Sequence, residues 1–320
     1  MPSRPQPRRR LAALLSTRNG SSAGTAVAAL ALALSAALGL VPPAGAQEGA
    51  FLHIAEETGV GTYIDDPLLN GRPEAIFFVQ QIWNPPGGFS VYNDHPIEVY
   101  YYVAAQRWAI ENADLADMPL HSAFNVWVPP ADSTRVFLHT ATAANSLNNW
   151  TVLDHPSLNG SPSQALQVTV RPSGPLYPHH VALWYNTATS RWAIYNEDEA
   201  TMPAGARFAV CIQDCDLFKF SGSTGYGYHT TFASNTEFNR TYLPSPNRSR
   251  WNFLASHSYV TTRIDSSLGV YWEGAEPAQA IFREDEEDLP LGENFRIAVT
   301  TGIFWSGFEH GGLLGWTVTP

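Results

Sequence analysis

Between Phe51 and Val299 apolar residues come in short runs that alternate with polar ones and are closed off by Gly, Pro, Asn and Asp. That period of two predicts half-buried strands, and no stretch of this region keeps the helical period instead. IEVYYYV followed by RWAIEN, and VALWYN followed by RWAIYN, are paired runs separated by a few small residues, the pattern of a hairpin. Each pair leads through an acidic loop and Met-Pro to a closing run, FNVWV or FAVCI. AIFFVQQIW, ALQVTV and WNFLASHSYV are rich in aromatic and β-branched residues and add a strand ahead of each hairpin.

The runs recur. The stretch from Trp184 to Val210 has a counterpart 84 positions earlier, where Trp108, Ile110, Asp114, Pro119, Phe124 and Val126 stand in the places of Trp192, Ile194, Asp198, Pro203, Phe208 and Val210. A weaker counterpart lies 87 positions later, with Ile281, Asp285, Pro290, Phe295 and Ile297. FLHIA, FLHTA and YHTTF put His53, His139 and His229 in one register, and TYIDDPLLNG matches TVLDHPSLNG. In the latter pair Asp-x-Pro followed by Asn-Gly is turn chemistry, because proline presets one dihedral and Asn-Gly accepts positive φ.

These repeats predict an all-β protein of three tandem antiparallel β-sandwich-like units of about 85 residues, at 47–131, 132–215 and 216–300. Residues 301–320, without a counterpart, are expected to cover an open edge. Within a unit the first three strands fall in the same order as the last three, so each half is expected to form one three-stranded sheet. The same half-unit rhythm fits an alternative, a single six-bladed β-propeller.

Residues 1–46 read as a leader: Arg4, Arg8, Arg9, Arg10 and Arg18 precede the apolar run Ala26–Val41 and the small residues at Ala44–Ala46. Export with cleavage near Ala46 is expected, to the periplasm, cell surface or exterior, with no membrane span in the mature chain. The leader carries five of the 18 basic residues and none of the 29 acidic ones, so residues 47–320 have a formal charge of −16, which excludes nucleic acid as a natural partner.

Candidate chemistry is repeated rather than single. Exposed aromatics stack on sugar faces, so Trp83, Trp127 and Trp184 are candidates for glycan binding, whereas the recurring Trp108 and Trp192 read as core anchors. His53, His139, His95 and His179 recur in pairs and are candidate metal ligands, or structural hydrogen-bonding residues. Asp114, Asp198 and Asp285 recur in oxygen-rich loops that suit Ca2+; an aspartate that caps its own turn explains the same persistence. Cys211 and Cys215 are a candidate disulfide, favoured by export. Hydrolase and phosphate-loop signatures are absent, so no enzyme activity is predicted.

At FLHTA, DHPSLNG, WYN, RWAIYNED and MPAGARF the second unit resembles a tandem repeat of exported bacterial proteins, a domain family with no assigned activity. The expected role is that of a non-catalytic structural or adhesive protein of the cell surface or matrix, with glycans or other surface proteins as partners. A carbohydrate-binding module is one alternative. A secreted hydrolase is the other, and a single pocket of convergent carboxylates or histidines would favour it.

Overall fold

The computed structural model describes residues 49–85, 88–164, 166–212, 216–221, 230–232, 252–273, 278–290 and 292–300. The expected leader, the C-terminal strands at 301–320, His229 and Cys215 lie outside them, and with Cys215 the expected disulfide; Cys211 is buried.

Three sets of strands follow one another. The first holds β1 (Gly49–Ile54), β2 (Gly61–Tyr63), β3 (Phe78–Ile82), β4 (Ile97–Tyr102), β5 (Arg107–Asn112) and β6 (Ala123–Val128). The second holds β7 (Val136–Thr140), β8 (Ser146–Leu147), β9 (Trp150–Leu153), β10 (Leu166–Val170), β11 (Val181–Asn186), β12 (Arg191–Asn196) and β13 (Arg207–Ile212). The third holds β14 (Asp216–Ser221), β15 (Thr230–Phe232), β16 (Asn252–Ser258), β17 (Leu268–Glu273), β18 (Ala278–Arg283) and β19 (Asn294–Thr300).

Every set forms two antiparallel layers. The inner sheets run β1-β6-β3, β7-β13-β10 and β14-β19-β16; the outer ones run β2-β5-β4, β9-β12-β11 and β15-β18-β17. The sandwich repeat is therefore present, but its layers take the first strand, the strand ahead of the hairpin and the last strand against the others, not one half each. The rhythm shared by the two halves is local, whereas pairing is decided by which faces must be buried together. A propeller blade of consecutive strands does not occur among the described residues.

The period of two explains what lies between the layers. Trp108, Ile110, Phe124 and Val126 point into the first sandwich, Trp192, Ile194, Phe208 and Val210 into the second, and Ile281, Phe295 and Ile297 into the third. Burial of each phenylalanine contributes roughly 2–3 kcal/mol. At the Asn-Gly turns Gly71 and Gly160 adopt φ of 71° and 74° with nothing within 4 Å of a Cβ, so backbone conformation, not space, calls for glycine.

The sandwiches close on one another rather than standing as beads. β17 joins β3 in parallel through Gly269–Gln81 and Val270–Ile82, β11 joins β16 at Leu183–Ser258, and β10 packs on β4. With β3, β10 and β16 also in mutual contact, the three sets surround a common pseudo-threefold axis. The centre of the first inner sheet is consequently covered on both faces, which is why β6 is buried at every position. Phe78, Trp127, Cys211 and Leu254 fill the axis with an apolar layer. Above it lies a polar one: Val79 N donates to Thr169 Oγ1 (3.1 Å), Ala255 N to Gln80 Oε1 (2.9 Å) and Ser256 Oγ to Gln167 Oε1 (2.9 Å). Arginines cross two of the seams, with the Arg171 guanidinium 4.7 Å from the Trp108 ring and that of Arg296 5.1 Å from Trp192.

Candidate functional site

The recurring aspartates and second histidines meet. His95 Nδ1 lies 2.7 Å from Asp114 Oδ2, and His179 Nδ1 lies 2.7 Å from Asp198 Oδ2. The other oxygen of each carboxylate accepts a backbone N–H two residues on, from Ala116 and Ala200 at 3.0 Å. Asp285 does the same with Glu287 N (3.1 Å), and Arg283 takes the place of the histidine as its ionic partner. The residue after each aspartate, Leu115, Glu199 or Glu286, has φ of 70°, 62° or 61°, so the aspartate fixes a left-handed turn. Among the described residues no group of three or more His, Cys, Asp and Glu is arranged to hold a metal ion.

His53 and His139 sit elsewhere, at the first strand of each inner sheet. Their Nε2 atoms reach across the sandwich to Thr62 Oγ1 (3.0 Å) and Thr151 Oγ1 (2.8 Å) on the outer sheet. Burial pushes each imidazole down to about 4, so both are neutral in the folded protein. A base whose folded pKa is lowered stabilises fully above its unfolded pKa and loses that contribution as pH falls through the folded value. Unfolding free energy is therefore expected to drop between about pH 6.5 and 4 by at most about 3 kcal/mol per histidine. Urea titrations of the His53→Gln/His139→Gln protein are expected to show a shallower acid limb; an unchanged slope excludes these residues as its source.

The main concentration of ionisable groups lies at the pseudo-threefold axis, in a cavity of ≈ 110 Å³ bordered by His179, His180, Glu197, His257, Ser266 and Ser267. His257 on β16 presents Nδ1 to Glu197 Oε1 at 2.5 Å and Nε2 to Glu293 Oε2 at 3.2 Å, all three side chains being at most 2% exposed. With a carboxylate at each nitrogen the ring is an imidazolium. Burial opposes its charge, but the hydrogen bonds and charges of Glu197 and Glu293 outweigh burial and raise its pKa. Glu293 also accepts from Val260 N, Thr261 N and Thr262 N (2.7, 2.9 and 2.7 Å), and although burial acts the other way these donors and His257 hold it down at about 2.

Each seam carries one buried glutamate that accepts a backbone N–H from the next set. Glu98 takes Tyr177 N (3.0 Å), Glu197 takes Ile264 N (3.0 Å) and Glu284 takes Asn93 N (3.1 Å). Glu197 and Glu284 hold the same place in their sets. The first set has Ala113 there and supplies its carboxylate from Glu98 on the neighbouring strand.

His180 Nδ1 lies 3.0 Å from Asp265 Oδ1 and its Nε2 3.2 Å from Ser267 Oγ, an Asp–His–Ser series like that of hydrolases. Ser267 Oγ, however, donates to the His95 carbonyl at 2.6 Å. Its proton is directed at a carbonyl rather than at the imidazole, and the series acts as a tie among the three sets.

The three tryptophans singled out for ligand binding are separated. Trp127 is 1% exposed and stacked on Phe78 at the axis, so it offers no face to a ligand. Trp184 is half-buried on β11, on the face turned away from its own core, 5.6 Å from Trp150. Tyr100 and Tyr271 occupy the same register on β4 and β17, also half-buried. All three lie opposite a small residue: Tyr100–Ala109, Trp184–Ala193 and Tyr271–Ala280. Around them gather Tyr63 and Tyr102 in the first set, Trp150 in the second, and Trp83, Tyr92 and Phe282 beside the third.

Sequence reasoning missed Glu98, Glu293, His180 and His257, and took Glu197 and Glu284 only as parts of acidic loops. The available signal was a charged residue beside or within a strand where the other sets have a neutral one, as with His257 against Gln81 and Val170.

Among the described residues no helix is long and apolar enough to cross a membrane. No curated protein and no solved structure matches the chain. One family model matches three times, over residues 40–104, 99–212 and 182–299. The recurrence read from the residues and the three-set architecture agree with that spacing: the chain belongs to the family described as a domain of unknown function, DUF7452.

Proposed function

We propose that the chain is an exported, non-catalytic adhesive protein that holds saccharides on the aromatic faces of its three outer sheets. The observation that carries this reading is the threefold recurrence of a half-buried ring at one register, Tyr100, Trp184 and Tyr271, on a sheet face turned away from its own core. A core-facing aromatic recurs because packing demands it; an outward one on an alternating strand has no such reason. Each ring lies opposite an alanine, which covers less of it than a larger cross-strand neighbour would, and the exposed part of a half-buried ring is a stacking surface for the C–H face of a pyranose.

The non-catalytic part rests on the axial cavity. Its carboxylates and histidines converge, as a hydrolase would require, but they are spent on one another and on seam N–H groups. At ≈ 110 Å³ it is also well below the roughly 300–1,000 Å³ of a typical ligand pocket. Export is supported by the leader-like run before Ala46. Screening the protein on an array of immobilised glycans tests the proposal. Binding to a restricted set of saccharides that free ligand displaces is expected; signal that survives no competition removes it.

A further inference from the structure

The aromatic face beside the third set differs from a neutral stacking surface in what rims it. Trp83 follows β3 and continues the parallel seam, its backbone N–H donating to Val270 O at 2.9 Å. Its ring lies 5.5 Å from Tyr271 and 5.8 Å from Tyr92, and Tyr92 and Tyr271 lie 5.8 and 5.7 Å from Phe282. Trp83, Tyr92 and Tyr271 are half-buried, so the group is neither closed core nor free surface.

Along its edge runs the acidic turn Glu284–Asp288. Glu286 is exposed and held in a left-handed conformation by the Asp285 turn, with its carboxylate beside the Tyr92 phenol, whose pKa rises through burial and then through that carboxylate. Glu287 and Asp288 are exposed beside it. The nearest cation of the turn, Arg283, is committed to Asp285 and to the Asp288 carbonyl. The first set repeats the theme, with the Tyr102 phenol donating to Glu111 beside Tyr63 and Tyr100.

The Tyr102 phenol gives its proton to Glu111, and the Tyr92 phenol faces the Glu286 carboxylate. The Trp83 Nε1–H is buried without a hydrogen-bond partner, so what the third set exposes beside its ring faces is the oxygen acceptors and negative charge of Glu286, Glu287 and Asp288. Neutral sugars offer hydroxyls that both donate and accept. A ligand that only donates, and is positive, matches such a rim better, because a cation over an aromatic face and beside a carboxylate gains from both.

We infer that the face built by Trp83, Tyr92 and Tyr271 takes protonated amino sugars, as units of a polycationic glycan, in preference to neutral or N-acetylated ones. The inference rests on the saccharide reading above and specifies its ligand. Charge complementarity extends beyond the rim, since the region after the leader has a formal charge of −16.

The test compares two oligosaccharides of equal length that differ in one group, de-N-acetylated and N-acetylated glucosamine oligomers, by quenching of tryptophan fluorescence at about pH 6. The amino form is expected to bind at least about tenfold more tightly, with a preference that shrinks as salt rises. Equal or tighter binding of the N-acetylated form overturns the inference while leaving the saccharide reading standing; binding of neither overturns both. Glu286→Gln is expected to bring the two affinities towards parity without changing the melting temperature, and an unchanged preference also overturns the inference. Tyr271→Leu separates stacking from bulk attraction of a polycation to an acidic protein. Loss of binding supports the assigned face, whereas full retention means that charge alone is acting and the face is wrongly assigned.

Discussion

Replacing His257 by alanine is expected to cost about 3–5 kcal/mol of unfolding free energy, the range for removing one partner of a buried ionic group. The imidazolium lies between Glu197 and Glu293, and the two carboxylates left behind are at most 3% exposed and lose the cation they share. Glu293 cannot move to water without surrendering the N–H groups of Val260, Thr261 and Thr262. The damage therefore concentrates at the seam between the second and third sets. Urea denaturation near pH 6 measures it as a lowered midpoint; a loss under about 1 kcal/mol means that the cluster is not ionic. The pH profile gives the sign independently. His257, with its folded pKa raised, stabilises fully below about 6.5 and loses that contribution as pH rises through the folded value; Glu293, with its pKa lowered, stabilises above about 4.5 and loses it as pH falls towards 2. The cluster is strongest between those limits, and the substitution should cost less on either side.

Glu284 produces the opposite dependence. Burial pushes its carboxyl up to about 8, with the Asp94 charge adding and the Asn93 N–H opposing. A carboxyl with a raised folded pKa contributes stability below its unfolded pKa of about 4.5 and loses it as pH rises through the folded value. The loss is on the order of 4 kcal/mol by about pH 9. Relief by movement is blocked, because the carboxyl lies against Gly269, where even a Cβ would overlap it and the Phe282 ring. Glu284→Gln keeps an oxygen for the Asn93 N–H and has no charge to bury. Its unfolding free energy is expected to stay nearly level where that of the natural protein falls, so the difference grows with pH. Parallel profiles between about pH 4.5 and 8 contradict a buried, neutral Glu284.

These two effects arise where the sequence was least legible. Strands, turns and core anchors were readable because they recur: Trp108 and Trp192, Phe124, Phe208 and Phe295, and the glycines after Asn70 and Asn159 each do one job in more than one place. Closure around the axis was not readable, because each seam is made differently. Gln80, Thr169 and Ser256 share a register but not a residue type, Trp127 has no repeated counterpart, and the seam carboxylate moves from Glu197 and Glu284 to Glu98. A pseudo-threefold protein joins three unlike partners at one axis, so its contacts diverge while the cores they join stay alike. For the same reason the two halves of a unit resembled two sheets. A period of two marks strands and faces, but a third strand joins its sheet only through contacts some forty residues away, which alternation does not encode.

The candidate site was legible in part. His95, Asp114, His179 and Asp198 were each singled out by their shared spacing, and the turn-capping aspartate was among the readings weighed, but that the histidines meet the aspartates was visible only in the structure. Trp184 was singled out, but Tyr100 and Tyr271 went unnoticed as its equivalents, because tyrosine stands for tryptophan and the register appears only once the strands are paired.

On the proposed function, the aromatic residues of this protein divide into those that hold the sandwiches together and those that face a ligand, and Trp184 tests that division most directly. The measurement is fluorescence titration of Trp184→Ala with a saccharide selected on the glycan array, at a temperature where the protein is folded. Because Trp184 is half-buried and meets Trp150 edge to face, binding at the second outer sheet is expected to be lost with a stability change under about 1 kcal/mol. Unaltered binding, or a loss of stability as large as truncating buried Trp192 would bring, about 3–5 kcal/mol, would refute the division.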